Sequence, residues 1–244
     1  MKRYAILSSD ALKILAMAFM LIDHLWATVI PGNQWMNVVG RLAFPIFAFM
    51  ISEGFLHTSN FKRYAKRLFF FGLISEIPFN LMSAGSVIFP FHQNVMFTLL
   101  LGLLCINELH KFKCCPSIKN GIWCVLKSCL LLLLGTVCFV DYSAMGILTV
   151  VVFYVFRDFK LSSLCRFFAL VLLFIVFFKG QSFVFTLAGR EIFFPLQGFG
   201  VLSLVPISLY NGKRICTSKA VKYAFYVFYP AHMALIYLVY RLAF

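Results

Sequence analysis

The chain has 244 residues, of which 62% are hydrophobic, 18% aromatic and only 12% charged, and its mean hydropathy is +0.93. A soluble domain carries about 25% charged residues to keep its surface in water, so this composition excludes a soluble fold and calls for lipid as part of the solvent. The net charge of +14 does not point to nucleic acid, because the basic residues sit in short gaps between apolar runs, where they orient the protein and meet anionic headgroups.

A hydrocarbon core of about 30 Å takes roughly 20 helical residues. Each span must be a helix, since lipid offers no partner to backbone polar groups. The start of the chain, Met-Lys-Arg-Tyr before an apolar run, has the look of a signal peptide. However, Leu12 to Ile30 is longer than a signal core and no small-x-small cleavage site follows it, so a retained first helix is expected. In chain order the sequence predicts about nine spans, at 12–30, 37–56, 64–82, 94–110, 120–139, 142–157, 163–179, 193–210 and 222–242. The stretch 180–192 reads as a loop or a short re-entrant piece. Pro31-Gly32-Asn33 ends the first span and Ser83 to Gly85 the third. Pro45, Pro78 and Pro230 fall inside spans, where each removes a backbone hydrogen bond and kinks the helix. The expected fold is therefore all-α, a polytopic transmembrane bundle forming a single domain over 1–244.

The basic residues set the orientation. Sixteen of the 22 Lys and Arg fall in gaps on one side: Lys2, Arg3, Lys62, Arg63, Lys66, Arg67, Lys111, Lys113, Lys119, Arg157, Lys160, Arg166, Lys213, Arg214, Lys219 and Lys222. The other side holds Lys179, Arg190 and Arg241, and Lys13, Arg41 and Lys127 lie within spans. The positive-inside rule then places the N-terminus in the cytosol, in a bacterial-type cytoplasmic membrane. Cys114, Cys115, Cys165 and Cys216 lie in or beside cytosolic gaps. Cys124, Cys129 and Cys138 lie in an apolar run. Free thiols are expected, and no spaced set of metal ligands is present.

A charged side chain at mid-bilayer costs about 3 kcal/mol, so such residues face the protein interior or a wet cavity. Asp23 and His24 lie past the middle of the first span. Arg41, Glu53 and His57 lie on the second, Glu76 and Asn80 on the third, and His232 on the ninth. Asn94 and Thr98 open the fourth, and Asp141 caps the turn between the fifth and sixth. Glu53 and His57 are four apart and share a helical face, near the end where both can reach water. Asp23 and His24 are about 100° apart around the helix, so they cannot both face one partner; Arg41, near the outer leaflet, can pair with Asp23 or with Glu76 across a helix contact. Internal ion pairs of this kind also fix helix register without any catalytic role. His24 is the exception, because an imidazole beside a carboxylate deep in a membrane suits proton transfer. His92 and His110 read as surface residues. Lys62, Arg63, Lys66 and Arg67 form two rows at i,i+4, suited to lipid headgroups or to a phosphorylated cytosolic ligand.

Several segments resemble the TraX family of membrane proteins, named for an enzyme that acetylates a pilin N-terminus. They are LKILAMAFMLIDH (12–24), GRLAFPIFAFMISEGFLHT (40–58), KRLFFFGLISEIPFNL (66–81), NVMFTLLLGL (94–103), DYSAMGIL (141–148) and FYPAH (228–232). They occur in order from the first span to the last; the region 160–215 resembles nothing placed. The resemblance implies a membrane acyltransferase that takes acetyl-CoA from the cytosol. It passes the acetyl group through a polar tunnel to an acceptor amine on a peptide N-terminus or small molecule. His24 is then the expected general base or transient acyl acceptor, with Asp23, His232 and Arg41 around it. Glu53, His57, Lys62, Arg63, Lys66 and Arg67 are expected to hold the CoA, and Glu76, Asn80, Asn94 and Asp141 to line the acceptor path. Membrane lipids are the other expected partner. A proton-coupled transporter or scramblase is the alternative, since such proteins also carry ionisable groups at mid-membrane.

Overall fold

The computed structural model describes residues 5–158, 161–178, 180–187, 189–216 and 218–243. Lys2, Arg3, Lys160 and Lys179, and the side chain of Lys219, lie outside them. Among the described residues 74% are helical. In chain order the helices are α1 (Ser9–Thr28), α2 (Gln34–Gly40), α3 (Ala43–His57), α4 (Phe61–Ala84), α5 (Val95–Cys114), α6 (Ile118–Val137), α7 (Ser143–Val155) and α8 (Ser162–Val171). A π-helical turn, Leu172–Phe177, follows α8. Then come strands β1 (Ser182–Leu187) and β2 (Arg190–Pro195), a 3-10 helix at Leu196–Ser203, α9 (Leu204–Ser208) and α10 (Lys219–Ala243).

The helix ends follow from local chemistry. Ser8 caps α1 by accepting from Ala11 N at 3.1 Å, Asn60 caps α4 through Arg63 N at 2.8 Å, and Ser117 caps α6 through Asn120 N at 3.1 Å. Each side chain satisfies one of the amides that a helix start leaves without an internal partner. Gly85 closes α4 at φ +65, a left-handed cap that favours glycine.

Among the described residues five helical stretches are long and apolar enough to cross a membrane: Ser9–Thr28, Gln34–His57, Val95–Cys114, Ile118–Val137 and Ala220–Ala243. Shorter apolar helices run over Ser143–Val155, Ser162–Phe177 and Leu196–Ser208. Bare apolar faces accompany them, such as Phe70, Leu73, Ile74 and Ile77 on α4 and Ile122, Val125, Leu126, Leu130 and Leu133 on α6. Exposed apolar surface on this scale marks contact with lipid, and the chain is a helical membrane protein.

Three expectations are corrected. The span at 37–56 is two helices, broken at Arg41–Leu42. Pro45 therefore sits in the first turn of α3, where its missing N–H had no partner to lose, whereas Pro78 and Pro230 are interior. The stretch 180–192 is not an irregular loop. It forms most of an antiparallel hairpin, with Ser182 opposite Pro195 and Leu187 opposite Arg190. The β-branched and aromatic residues of SFVFTL and REIFFP suit a pleated surface, and Gly189 at φ +75 sits in the turn. The predicted span at 193–210 thus begins in β2 and continues as 3-10 helix and α9. Finally, Arg166 is no gap residue, because it lies on α8 and is buried.

Contacts divide the chain into two compact units, residues 1–47 with 156–222 and residues 48–155 with 223–244. In the first, Leu12, Ala16, Leu170 and Phe174 are among the most deeply buried residues. Asp10 ties the chain start to the 210–216 segment, its carboxylate accepting from Ile215 N at 3.1 Å and Cys216 N at 2.8 Å. In the second, α5 packs closely on α7. A Cβ at Gly102 would stand 2.7 Å from Val150 Cγ2, so a side chain there would force the helices apart.

Candidate functional site

In the first unit the polar residues gather where α1 meets α2. Arg41 caps the end of α2, and its Nη2 donates to both carboxylate oxygens of Asp23 on α1. The two side chains are 22% and 16% exposed, so the pair is largely withdrawn from solvent. Gly40 makes this approach possible, since a Cβ there would come within 2.3 Å of Asp23 Cβ and Oδ1. Of the two carboxylates open to Arg41 from the sequence, Asp23 is thus the one engaged. His24 follows on α1, half-buried, its carbonyl accepting from Thr28 Oγ1 at 2.7 Å. One turn before Arg41, Asn37 donates from Nδ2 to Gln181 Oε1 at 3.5 Å.

In the second unit a polar network joins the ends of α4, α5 and α7. Glu76 on α4 accepts from Asn94 N at 2.9 Å and also from Asn94 Nδ2. Asn94 Nδ2 donates to Gly72 O at 2.8 Å, and its Oδ1 accepts from Met96 N at 3.0 Å. Asn94 thus caps α5 and clasps it to α4. Asn80, 5% exposed, donates to Val87 O at 3.3 Å and holds the turn after α4. The Asp141 backbone carbonyl accepts from Thr98 Oγ1.

His92, expected at the surface, keeps 44% of its side chain exposed yet makes a specific contact. It is half-buried, with Nε2 3.5 Å from Asp141 Oδ1 and its ring edge-on to Phe79 at 5.0 Å. The Asp141 hydrogen bond, only partly offset by burial, holds the His92 imidazolium above its ordinary pKa. The pair therefore contributes stability that is fully present below the free histidine value of about 6.5 and is lost as pH rises through the folded value. At this exposure the contribution is small, about 0.5 kcal/mol. An NMR titration of His92 should give a pKa above the free value, and Asp141→Asn should return it there. Tyr229 was passed over, although it stands in the FYPAH run. It is 4% exposed, accepts from Val95 N–H, and feels the charges of Asp141 and Glu76.

His232, one turn after Phe228 on α10, is buried; its Nδ1 lies 2.8 Å from Phe228 O and its ring stacks on Phe228 at 4.8 Å. It belongs to the second unit and His24 to the first. Glu53 and His57 do meet at i,i+4, but through His57 Nδ1 and the Glu53 backbone carbonyl at 2.8 Å. Glu53 is 8% exposed and does not reach water as expected, whereas His57 is open. His110 is also no plain surface residue, since its Nδ1 lies 2.9 Å from Tyr154 OH.

The basic cluster at the start of α4 divides. Lys62, Arg63 and Lys66 are exposed. Arg67 is half-buried, with its guanidinium 5.4 Å from the Tyr64 ring and 5.9 Å from the Tyr226 ring, and Tyr226 stacks on Phe71 at 5.0 Å. A separate cavity of about 580 Å³ between α5 and α6 is lined by Glu108, His110, Lys111, Cys114 and Lys127 among others. Glu108 there pairs with Lys111 at 2.5 Å and Lys127 at 3.0 Å. All eight cysteines are free thiols. Among the described residues no group of three or more His, Cys, Asp and Glu is arranged to hold a metal.

Helices of membrane-crossing length, bare apolar faces and ionisable side chains turned toward protein partners define a multi-pass integral membrane protein. The family described as "TraX protein" matches residues 8–240, and the chain belongs to the TraX family. It is 28% identical over 257 residues to the "Probable fimbrial assembly protein FimC, serogroup H1" of Dichelobacter nodosus, an alignment covering 97% of each chain. No solved structure matches it.

Proposed function

We propose that the protein is an integral membrane acetyltransferase, moving an acetyl group from cytosolic acetyl-CoA to an acceptor amine. The observation that carries this reading is the start of α4. Lys62, Arg63 and Lys66 stand exposed in the first two turns, and no acidic residue accompanies them in the first. Cations at a helix start oppose its dipole, and a bound anion relieves both the dipole and the clustered charge. The phosphates of CoA supply such an anion on the cytosolic side of a cytoplasmic membrane. Glu53 and His57 lie at the adjoining end of α3. The name of the Dichelobacter nodosus relative, a fimbrial assembly protein, favours a protein N-terminus as acceptor.

In this reading His24 takes the proton that the amine loses as it attacks the thioester carbonyl, the C–S bond breaks, and the departing CoA thiolate takes that proton; acylation of His24 itself, with CoA leaving in the first step, would make the reaction two-step. With Arg41 Nη2 engaged by Asp23, the pair acts by fixing α1 against α2 and so positioning His24. His232 is the second imidazole of the reading. Glu76, Asp141 and His92 form the polar wall of the acceptor path, while Asn94 and Asn80 shape it as clasp and turn anchor.

Acetyl-CoA binding to detergent-purified protein tests this. The Lys62→Ala/Arg63→Ala/Lys66→Ala variant should bind about thirtyfold more weakly, given roughly 0.7 kcal/mol for each partly screened charge. The loss should shrink in high salt. Folded wild-type protein that binds no acyl-CoA would end the acetyltransferase reading.

A further inference from the structure

The cavity at the C-terminal end of α5 holds a pair of side chains that the transfer chemistry leaves unused. His110 and Cys114 stand four residues apart on α5, so one helical face presents both. His110 Nε2 lies 3.6 Å from Cys114 Sγ, within hydrogen-bond reach for the larger sulfur atom, and Cys114 is exposed. The imidazole is fixed from its other side. Its Nδ1 lies 2.9 Å from Tyr154 OH on α7, and its ring meets that of the buried Phe55 edge-on at 5.3 Å. Phe55, His110, Cys114 and Tyr154 all belong to the second unit.

A thiol, an imidazole within its reach and a third group orienting that imidazole make up an activated nucleophile. In the tautomer that donates Nδ1–H to Tyr154, Nε2 keeps the lone pair that can accept the thiol proton. There is also room for a substrate in front of the thiol. Both residues line the cavity of about 580 Å³, a volume typical of small-molecule sites. Glu108 there pairs with Lys111 and with Lys127, so one carboxylate stands against two ammonium groups. Lys113 adds a further cation in the last turn of α5. This excess of positive charge suits an anionic donor, and the Phe112 and Trp123 side chains of the lining suit its carbon chain. An acyl-CoA carries both features on a thioester.

We propose that Cys114 and His110 form an acylation site, at which the Cys114 thiol takes the acyl group of a CoA thioester. His110 Nε2 takes the S–H proton as Sγ attacks the thioester carbonyl. The C–S bond to CoA then breaks, the acyl group stays on Sγ as a new thioester, and the departing thiolate takes the proton from His110. One thioester replaces another, so the step consumes no oxidant, metal or water. It rests on the transferase reading only for the choice of CoA as the donor's carrier.

The test incubates the full chain in detergent with acetyl-CoA or, separately, with S-phenyl thioacetate, and follows acetylation by mass spectrometry. Wild type and Cys115→Ser should gain an acetyl group at equal rates, and Cys114→Ser should do so about tenfold or more slowly. Neutral hydroxylamine should remove the group, as it does from a thioester and not from a lysine amide. His110→Ala should slow the reaction by a similar factor; His110→Gln gives the same reading where alanine does not fold. S-phenyl thioacetate carries no CoA, so reaction with it alone would overturn CoA as the donor while the nucleophilic pair stands. Acetyl-CoA that binds without acetylating Cys114 would sink the proposal and spare the transferase reading. Equal rates in wild type, Cys114→Ser and the His110 variants would also overturn it, as would an acetyl group that hydroxylamine does not remove.

Discussion

His24→Ala is expected to lower acetyl transfer by about a hundredfold or more, the usual contribution of a positioned general base, while acetyl-CoA still binds. His24 is half-buried on α1 and its backbone carbonyl serves Thr28, and the substitution leaves both α1 and that hydrogen bond in place. Unfolding measured beside activity separates a loss of chemistry from a loss of stability. Addition of free imidazole should recover part of the rate. Substantial transfer by a well-folded His24→Ala protein would remove His24 from the chemistry.

The Asp23–Arg41 pair should give the larger effect on folding. Arg41→Met removes the guanidinium from the Asp23 carboxylate, whose side chain is 16% exposed, and breaking a pair so withdrawn from solvent costs about 3–5 kcal/mol. Asp23→Asn alone leaves the guanidinium in the same position. The double variant Asp23→Asn/Arg41→Met should recover most of the stability, because it removes both charges together. Gly40→Ala should be comparably damaging with no change of charge, since its Cβ would fall within 2.3 Å of the Asp23 side chain. Denaturant or thermal unfolding in detergent reads all four. Additive losses in the double variant would mean that the two residues act independently. Transfer by a stable double variant would show that the pair only positions, and loss of transfer would give it a part in the reaction.

Much of this was legible in the sequence because the membrane imposes a strong code. Long apolar runs, the Pro-Gly-Asn stop after α1 and the Gly85 cap all report backbone requirements that neighbours do not alter. The pairing of Arg41 with Asp23 or Glu76 was visible as a choice, but settling it required the α1–α2 approach at Gly40. The break at Arg41–Leu42 escaped notice because an apolar run reads alike whether its helix is continuous or cut; Pro45 was the clue, as a residue suited to a helix start. The hairpin at Ser182–Pro195 was missed because Gly, Arg and Glu near its turn outweighed the β-branched and aromatic alternation beside them. His92 reads as a surface residue, and only the fold brings Asp141 to it across 49 positions of sequence.

The brevity of α7 has a consequence for the surrounding lipid. Its 13 residues rise about 20 Å, against a hydrocarbon thickness of about 30 Å. Alone the helix is too short to span an undeformed bilayer, so acyl chains against any lipid-facing part of it would have to compress or headgroups dip inward, at a fraction of a kcal/mol for each ångström. The protein should accordingly work best in bilayers of short acyl chains and slow progressively as the chains are lengthened.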